Sequence, residues 1–143
     1  MSIVFGSVLF KRKKSYNIVT IKPLNKIKPI DGLMITDGEN YWFIKGGKRV
    51  KCFSYRSFKS WSLDAILATP QACKTIPLTG TLGFRDGSLI KDIVSGKIYL
   101  VSSSKTRLVT NPDILDIIGR DKIIEVSPEE VAIHTEGEPI NAI

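Results

Sequence analysis

The sequence contains few of the residues that build metal and redox sites. Its 143 residues include two cysteines and one histidine. No Cys-x-x-Cys pair occurs, so the ligand spacing of a structural zinc site is missing. Cys52 and Cys73 are interpreted as buried thiols in a reducing compartment, although their spacing also permits a disulfide. We therefore predict neither a metal nor any other cofactor.

Catalytic signatures are missing as well. The chain has no P-loop, no Gly-x-Gly-x-x-Gly, no Gly-x-Ser-x-Gly and no His-Glu-x-x-His. His134 stands alone, at the position where the first half of the chain has Ile76, and is interpreted as a structural histidine. Glu129 and Glu130 are interpreted as charges near a helix N-terminus. The prediction is that the protein is not an enzyme.

Long apolar runs are also missing. No run approaches the roughly 20 residues that cross a bilayer as a helix. The apolar stretch 4–10 is short and follows no basic residue, which does not fit a secretory signal. We expect no membrane span, and a cytoplasmic location unless the protein belongs to a virus particle.

Acidic residues are absent from the first 30 positions, so charge is unevenly distributed. Residues 1–30 hold seven bases and no acid, residues 31–84 hold seven bases and four acids, and residues 85–143 hold seven bases and ten acids. The net charges are +7, +3 and −3, which give the overall +7. Such polarity suits head-to-tail stacking on a neighbour, or a basic end that meets an acidic surface.

Against these absences, two stretches of the chain look like copies of one unit. Each has an Asp-Gly pair before an apolar run, then an aromatic or apolar strand, and later a hydroxyl-Pro pair. The offset between the copies drifts from 55 residues at Asp-Gly to 58 at the proline, so the second copy carries about three inserted residues. The matching pairs are Asp31-Gly32 and Asp86-Gly87, Tyr41–Ile44 and Ile98–Val101, and Thr69-Pro70 and Ser127-Pro128. Tandem units of this size usually form scaffolds or binding surfaces.

The pattern predicts a mainly β fold of two tandem small β-rich units with short helices, preceded by an N-terminal β-hairpin. The predicted boundaries are 1–30 for the basic hairpin and an extended connector, 31–84 for the first repeat, and 85–143 for the second repeat with a C-terminal arm. Turn residues at 37–40 and 95–96 predict hairpins between the first two strands of each repeat. Asn111-Pro112-Asp113 predicts a helix start and Gly119 its end.

Two groups of residues are candidate contact sites. The basic cluster Lys11, Arg12, Lys13 and Lys14 lies at the predicted hairpin tip, where it is interpreted as a solvated turn, a protein-docking loop or a phosphate-contacting loop. The aromatic residues of the first repeat are interpreted as core plus subunit interface, because Tyr and Trp are frequent interface anchors. A stacking surface for single strands or sugars is the alternative. The aromatic candidates are the exposed members of Tyr41, Trp42, Tyr55 and Trp61.

The second repeat resembles short β-rich repeats of bacteriophage virion proteins and bacterial surface proteins. The residues that carry the resemblance are Gly87, Leu89-Ile90, Tyr99-Leu100-Val101, Lys105, Arg107, Asn111-Pro112-Asp113, Val126-Ser127-Pro128-Glu129-Glu130 and Glu136-Gly137-Glu138-Pro139-Ile140. The first repeat departs from the pattern, with Thr69-Pro70 in place of Ser-Pro. The resemblance implies a structural or adhesive module without a cofactor.

These observations together predict a non-enzymatic assembly subunit of a bacteriophage virion, namely a tail, neck or capsid accessory protein. Its expected partners are other virion proteins and further copies of itself. Two other interpretations stay open. A basic nucleic-acid-binding module would bind with an affinity that falls steeply with salt. A host-surface or glycan-binding module would use the aromatic residues and respond little to salt.

Overall fold

The computed structural model describes residues 22–142. The predicted hairpin and the cluster Lys11–Lys14 lie outside the described residues, whereas the connector from residue 22 to residue 30 lies within them. The described part is built from two five-stranded mixed sheets and four short helices, which confirms the mainly β fold class. None of its helices is long and apolar enough to cross a membrane.

The elements follow one another in the same sequence in both halves. The first set is β1 Met34–Thr36, β2 Tyr41–Lys45, β3 Lys48–Cys52, α1 Tyr55–Ser60, β4 Ala65–Leu67, α2 Pro70–Lys74 and β5 Leu78–Leu82. The second set is β6 Leu89–Asp92, β7 Ile98–Ser102, β8 Lys105–Leu108, α3 Asp113–Ile118, β9 Ile123–Val126, α4 Pro128–Ala132 and β10 Thr135–Glu136, with a 3₁₀ turn at Arg120–Lys122.

The two sheets share one strand order. The first runs β4-β1-β2-β3-β5 and the second, read in the same sense, runs β9-β6-β7-β8-β10. In each, the three central strands form an antiparallel meander, and the two outer strands add parallel to it. Parallel neighbours need long crossovers, and the short helices lie in those crossovers.

The hairpins form where the turn residues predict them. Asp37 Oδ1 accepts the N–H groups of Glu39 and Asn40, both at 2.9 Å, which fixes the first turn. Asp92 Oδ1 plays the same part in the second hairpin. The pairs Thr36–Tyr41 and Lys91–Ile98 close loops of four and six residues, so two of the inserted residues of the second copy lie in this hairpin.

Helix starts follow from their caps. The Thr69 and Ser127 hydroxyls accept backbone N–H groups of α2 and α4, and Ser127 and Glu130 form a reciprocal capping box. At α3 the predicted start is one residue early. Pro112 is the N-cap rather than the first helical residue, and Asn111 Oδ1 accepts the Asp113 N–H at 3.0 Å.

The described residues form two compact units whose limits do not follow the chain continuously. Unit 1 contains residues 22–55 and Ser62–Leu82, and unit 2 contains Arg56–Trp61 and 83–142. Most of α1 therefore belongs to unit 2, although its sequence lies in the first repeat; the repeat boundaries themselves stay a prediction. The main core of unit 1 is Ile35, Trp42, Ile44, Ala68, Ala72, Cys73 and Ile76, and that of unit 2 is Phe84, Ile90, Val101 and Val126.

The C-terminal segment is extended, as the sequence predicts, but it is attached to unit 2. Thr135–Glu136 pairs parallel with β8, and Ile140 bridges to Val109. Ile140 is buried, so the segment contributes to packing rather than projecting into solvent.

Candidate interaction surfaces

A shallow cleft on unit 1 brings together aromatic residues from two turns. It is lined by Gly38–Tyr41 and by Lys51–Tyr55, and its volume is about 310 Å³. We call it the aromatic cleft. The ring centroids of Tyr41 and Tyr55 lie 5.6 Å apart with the planes tilted by 54°. Tyr55 is 51% exposed and Phe53 40% exposed, so the cleft presents apolar rings to solvent.

The hairpin holds one wall of the aromatic cleft in a fixed geometry. The Thr36 hydroxyl donates to the Asn40 carbonyl at 2.7 Å and accepts the Gly38 N–H at 3.0 Å. Desolvation by burial, and then the neighbouring Tyr55, raise the pKa of Tyr41. The Tyr41 ring therefore stays neutral at physiological pH. A rigid wall with an uncharged ring can bind another apolar surface at a low entropic cost.

The predicted aromatic set is divided by the structure. Tyr41 and Tyr55 meet in the aromatic cleft, whereas Trp61 belongs to unit 2. Trp42 is 6% exposed and lies in the core of unit 1, so it is not among the exposed members. Alternation along β2 explains the difference, since Trp42 and Ile44 share the face of the sheet that packs into the core.

Trp42 has a buried cation as its neighbour. The guanidinium carbon of Arg49 lies 4.8 Å from the centroid of the indole ring. Arg49 is buried and donates from Nε to the Ile76 carbonyl at 2.7 Å. The indole N–H of Trp42 is buried and has no hydrogen-bond partner among residues 22–142. This pair is part of the interior of unit 1, where cation–π contact compensates a buried charge.

An ion pair connects α1 to α4 within unit 2. Arg56 donates to Glu130 through Nη2 at 2.6 Å and through Nε at 3.1 and 3.2 Å. The Glu130 side chain is 3% exposed, whereas that of Arg56 is 53% exposed. The hydrogen bond to Glu130 raises the pKa of Arg56. The carboxylate also accepts the Ser127 N–H at 2.9 Å, so the cap of α4 and the anchor of α1 use the same group.

Two further contacts of the α1 segment go to backbone groups on either side of the predicted repeat boundary. The Ser60 hydroxyl accepts the Arg85 N–H at 3.1 Å. The indole N–H of Trp61 donates to the Gly83 carbonyl at 2.9 Å. We call Arg56, Ser60 and Trp61 with their partners the α1 anchor. Backbone partners give it geometric specificity without requiring particular side chains on the other side.

His134 is committed to two backbone groups beside the α1 anchor. Its Nε2 accepts the Phe84 N–H at 3.0 Å, and its Nδ1 lies 2.8 Å from the Ser104 carbonyl. A carbonyl only accepts, so the ring proton sits on Nδ1. The close approach requires glycine at position 83, since a Cβ there would overlap the imidazole. Both nitrogens are thus used structurally, as the sequence interpretation expects.

The sequence reasoning missed the pairing of Arg56 with Glu130, which are separated by 74 positions. A signal was present in the alignment of the repeats. Glu130 occupies the position at which the first repeat has Ala72, and Ala72 is buried. An acid at a position that is buried in the other copy predicts a cationic partner, because unpaired buried charges are costly.

The two thiols are free and buried, as the buried-thiol interpretation predicts. The Cys52 Sγ lies 3.7 Å from the Met34 Sδ. Burial raises the pKa of Cys52 to about 12. Burial also raises the pKa of Cys73, with a smaller contribution from Asp37. Both groups are therefore thiols rather than nucleophilic thiolates at physiological pH.

Two further surfaces expose apolar residues beside charged ones. On α3, Ile117 is 70% exposed and is preceded by Asp113 and Asp116, of which Asp116 pairs with Arg120 at 2.6 Å. The connector, residues 22–30, exposes Leu24 at 40% and Ile30 at 56%. Its charged residues are Lys22, Lys26 and Lys28, all exposed and without an acid among them.

Comparison with known proteins gives little to set beside this geometry. No family model matches the chain, and no curated protein matches it. One solved structure, described as the periplasmic assembly from the ESX-5 inner membrane complex, is similar over 85% of this chain with 17% identity and a TM-score of 0.29. The chain spans 36% of the length of that protein. A likeness this distant carries no argument about fold or function.

Proposed function

We propose that the protein is a non-enzymatic structural subunit that works through protein–protein contacts. The observation that supports this proposal is the aromatic cleft. Tyr55 and Phe53 remain about half exposed beside a hairpin that hydrogen bonds hold in place. Exposed aromatic rings on a rigid support are typical of the anchors that dominate binding energy in protein interfaces.

The use of the polar residues supports the same proposal. His134, Glu130 and Arg56 are groups that enzymes often employ, and here each is bonded to a structural partner. The thiols are buried and protonated because burial raises their pKa. The polar groups of His134, Glu130 and Arg56 therefore form structural bonds within unit 2.

We further propose that the assembly to which this subunit belongs is a bacteriophage virion, and that the protein is a tail, neck or capsid accessory subunit. Its support is the resemblance of the second repeat to repeats of virion proteins. Its expected partners are other virion proteins and further copies of the chain. A location in the virion follows from this proposal.

Site-specific photo-crosslinking tests the proposal. A photoreactive phenylalanine analogue replaces Tyr55 in one variant and Val94 in a matched control, since Val94 is 77% exposed on the loop of the second hairpin. Each variant is expressed in cells in which the virions are assembling. We expect position 55 to crosslink to particle proteins and position 94 to give far fewer products.

Equal labelling from both positions, or protein that never enters particles, would contradict the proposal. A second variant, Tyr55→Ala, separates binding from folding. It should lower incorporation into particles while the circular dichroism spectrum and thermal midpoint stay close to those of the unchanged protein, because Tyr55 is half exposed.

A nucleic-acid-binding function is the second candidate, and the position of Lys51 favours it. This exposed lysine lines the aromatic cleft together with Tyr41, Phe53 and Tyr55. Single-stranded nucleic acids bind to such combinations of base stacking and positive charge. A fluorescence titration with a single-stranded oligonucleotide at several salt concentrations tests this candidate. A binding constant whose logarithm falls linearly with the logarithm of salt concentration supports it, and no binding at low salt contradicts it.

A further inference from the structure

The α1 anchor shows how the helix that follows the third strand of the first repeat attaches to residues of the second repeat. Arg56, Ser60 and Trp61 make the contacts to Glu130, Arg85 and Gly83. Arg56 and Ser60 lie one turn apart on the same side of the six-residue helix α1, and Trp61 directly follows the helix. The equivalent side of the second repeat's helix can therefore be identified by position.

The equivalent helix is α3. The strand registers shift by 57 positions between the repeats at this point, since Trp42–Lys51 corresponds to Tyr99–Leu108. The same shift places the buried pair of α1, Ser57 and Phe58, on the buried pair of α3, Ile114 and Leu115. By this alignment Arg56 corresponds to Asp113, Ser60 to Ile117 and Trp61 to Ile118.

This side of α3 is open. Ile117 is 70% exposed, whereas the matching Ser60 of α1 binds the Arg85 backbone. Neither Asp113 nor Ile117 has a side-chain bond within residues 22–142. A large apolar residue with an adjacent carboxylate is suited to a partner that offers an apolar side chain and a cation.

Unit 1 offers that combination at the positions equivalent to the target of α1. Asp31 corresponds to Asp86, so Gly83 corresponds to Lys28 and Arg85 to Ile30. Ile30 is 56% exposed. Glu130, the acid of the α1 anchor, corresponds to Ala72, so unit 1 has no carboxylate there. On α3, Asp113 stands in place of the cation Arg56.

We infer that α3 of one molecule docks on the connector of unit 1 of a second copy, with Ile117 against Ile30. The position aligned with the partner of Asp113 is the buried Ala72, so Asp113 is left to pair with the exposed Lys28 beside Ile30. The inference rests on the proposed assembly function but uses a surface other than the aromatic cleft. The contact joins different surfaces of the two copies, so it is head-to-tail and leads to rings or open polymers. Charge reversal relative to the α1 anchor keeps α3 from competing for the site that α1 fills.

Light scattering and sedimentation of the whole chain test the inference. We expect the mass to rise with protein concentration at about 20 mM salt and association to weaken at about 500 mM salt, because exposed charges are screened. Ile117→Asp and Ile30→Asp should each weaken self-association about tenfold or more, since each places a charge in the apolar contact. Both residues are exposed, so the fold should be retained.

Mixing the two variants gives the sharpest result. Each variant keeps one intact surface, so an equimolar mixture should form a dimer that cannot grow, whereas either variant alone stays monomeric. Val94→Asp is the control, because it introduces the same charge at an equally exposed site outside both surfaces. Asp113→Lys should weaken association, and Asp113→Lys combined with Lys28→Asp should restore it.

Three results would overturn the inference: a monomer at low salt and high concentration, association unaffected by Ile117→Asp, or dimers formed by one variant alone. The last would indicate a symmetric contact. A monomer that still crosslinks to particle proteins through position 55 removes only this inference. Salt-sensitive self-association without any crosslinked particle protein would instead keep the inference and contradict the virion proposal.

Discussion

Units 1 and 2 have the same strand order but differ in the helix that covers the sheet. In unit 1, α2 contributes Ala72 and Cys73, followed by Ile76, all buried in an apolar cluster. In unit 2 the matching positions on α4 and after it are Glu130, Val131 and His134. At two of these three positions, Glu130 and His134, unit 2 has a hydrogen-bonding side chain where unit 1 has a hydrophobic one.

The difference teaches how one fold can be used in two ways. Unit 1 closes its core with apolar contacts, which are strong but non-directional. In unit 2, Glu130 and His134 form directional bonds instead, Glu130 to Arg56 of α1 and His134 to the backbone of Phe84 and Ser104. Because the strand framework is shared, the specificity of unit 2 depends on a few substitutions rather than on another topology.

Removing the cation of the ion pair should have the largest effect on this contrast. Arg56→Ala leaves the buried Glu130 carboxylate without its charge partner, and we expect a loss of about 2–3 kcal/mol, reduced by the exposure of Arg56. Glu130→Ala restores the residue found in unit 1 and should cost only about 1 kcal/mol for the lost cap and pair. Urea unfolding of both variants and of the double variant gives these values.

The order of the two losses is decisive. The double variant should be more stable than Arg56→Ala alone, because no unpaired buried charge remains. If Glu130→Ala proves the more damaging single change, Glu130 acts mainly as a helix cap, and the contrast between the units is one of capping rather than recognition.

Filling the space beside His134 should have the next largest effect. A methyl group in Gly83→Ala would displace the imidazole from its bonds to Phe84 and Ser104, which should cost about 2 kcal/mol. In a His134→Ala background the same change should cost little, since the obstacle is gone. Equal costs in both backgrounds, measured by thermal unfolding, would show that the imidazole does not require this glycine.

Alkaline pH should destabilise unit 1 through its thiols. The pKa of Cys52 is raised from 9.0 to about 12, so its contribution is complete below about pH 9 and is lost as pH rises toward 12. At about pH 10 the loss should be about 1 kcal/mol. Urea titrations at about pH 8 and pH 10 measure it, and Cys52→Ala should show a flatter dependence on pH. An unchanged slope in that variant would assign the alkaline loss to other groups.

The two tryptophans should give the smallest contrast. Trp61→Phe removes a donor to the Gly83 carbonyl and should cost about 1 kcal/mol. Trp42→Phe removes a buried N–H that has no partner within the described part of the chain, which offsets part of the lost packing. We expect Trp42→Phe to be the better tolerated of the two when midpoints of urea unfolding are compared.

Local features of the fold are predictable from the sequence because their signals are local. The hairpin at 37–40 and the caps at Thr69 and Ser127 depend on residues within four positions of one another. Each involves a side chain that bonds the nearby backbone, so the residue type alone indicates the structure. Even the error at α3 is a shift of one residue.

Contacts between distant segments are not predictable in this way. The parallel strands β5 and β10, the attachment of the C-terminal segment to β8 and the pairing of Arg56 with Glu130 all join parts of the chain that no shared motif connects. For the candidate surfaces, the sequence indicated Tyr41 and Tyr55 but also Trp42. Alternation along a strand shows that side chains point to two faces of the sheet, but it does not show which face is buried by the core.

The division of α1 from the rest of its repeat has a consequence for synthesis on the ribosome. Arg56 leaves the exit tunnel 74 residues before Glu130. At elongation rates of roughly 5–20 residues per second, this interval lasts roughly 4–15 seconds. During that time the segment of α1 lacks its anchor, and its six residues are too few to form a stable helix alone. The segment can therefore take up its final structure only after most of the second repeat has been synthesised.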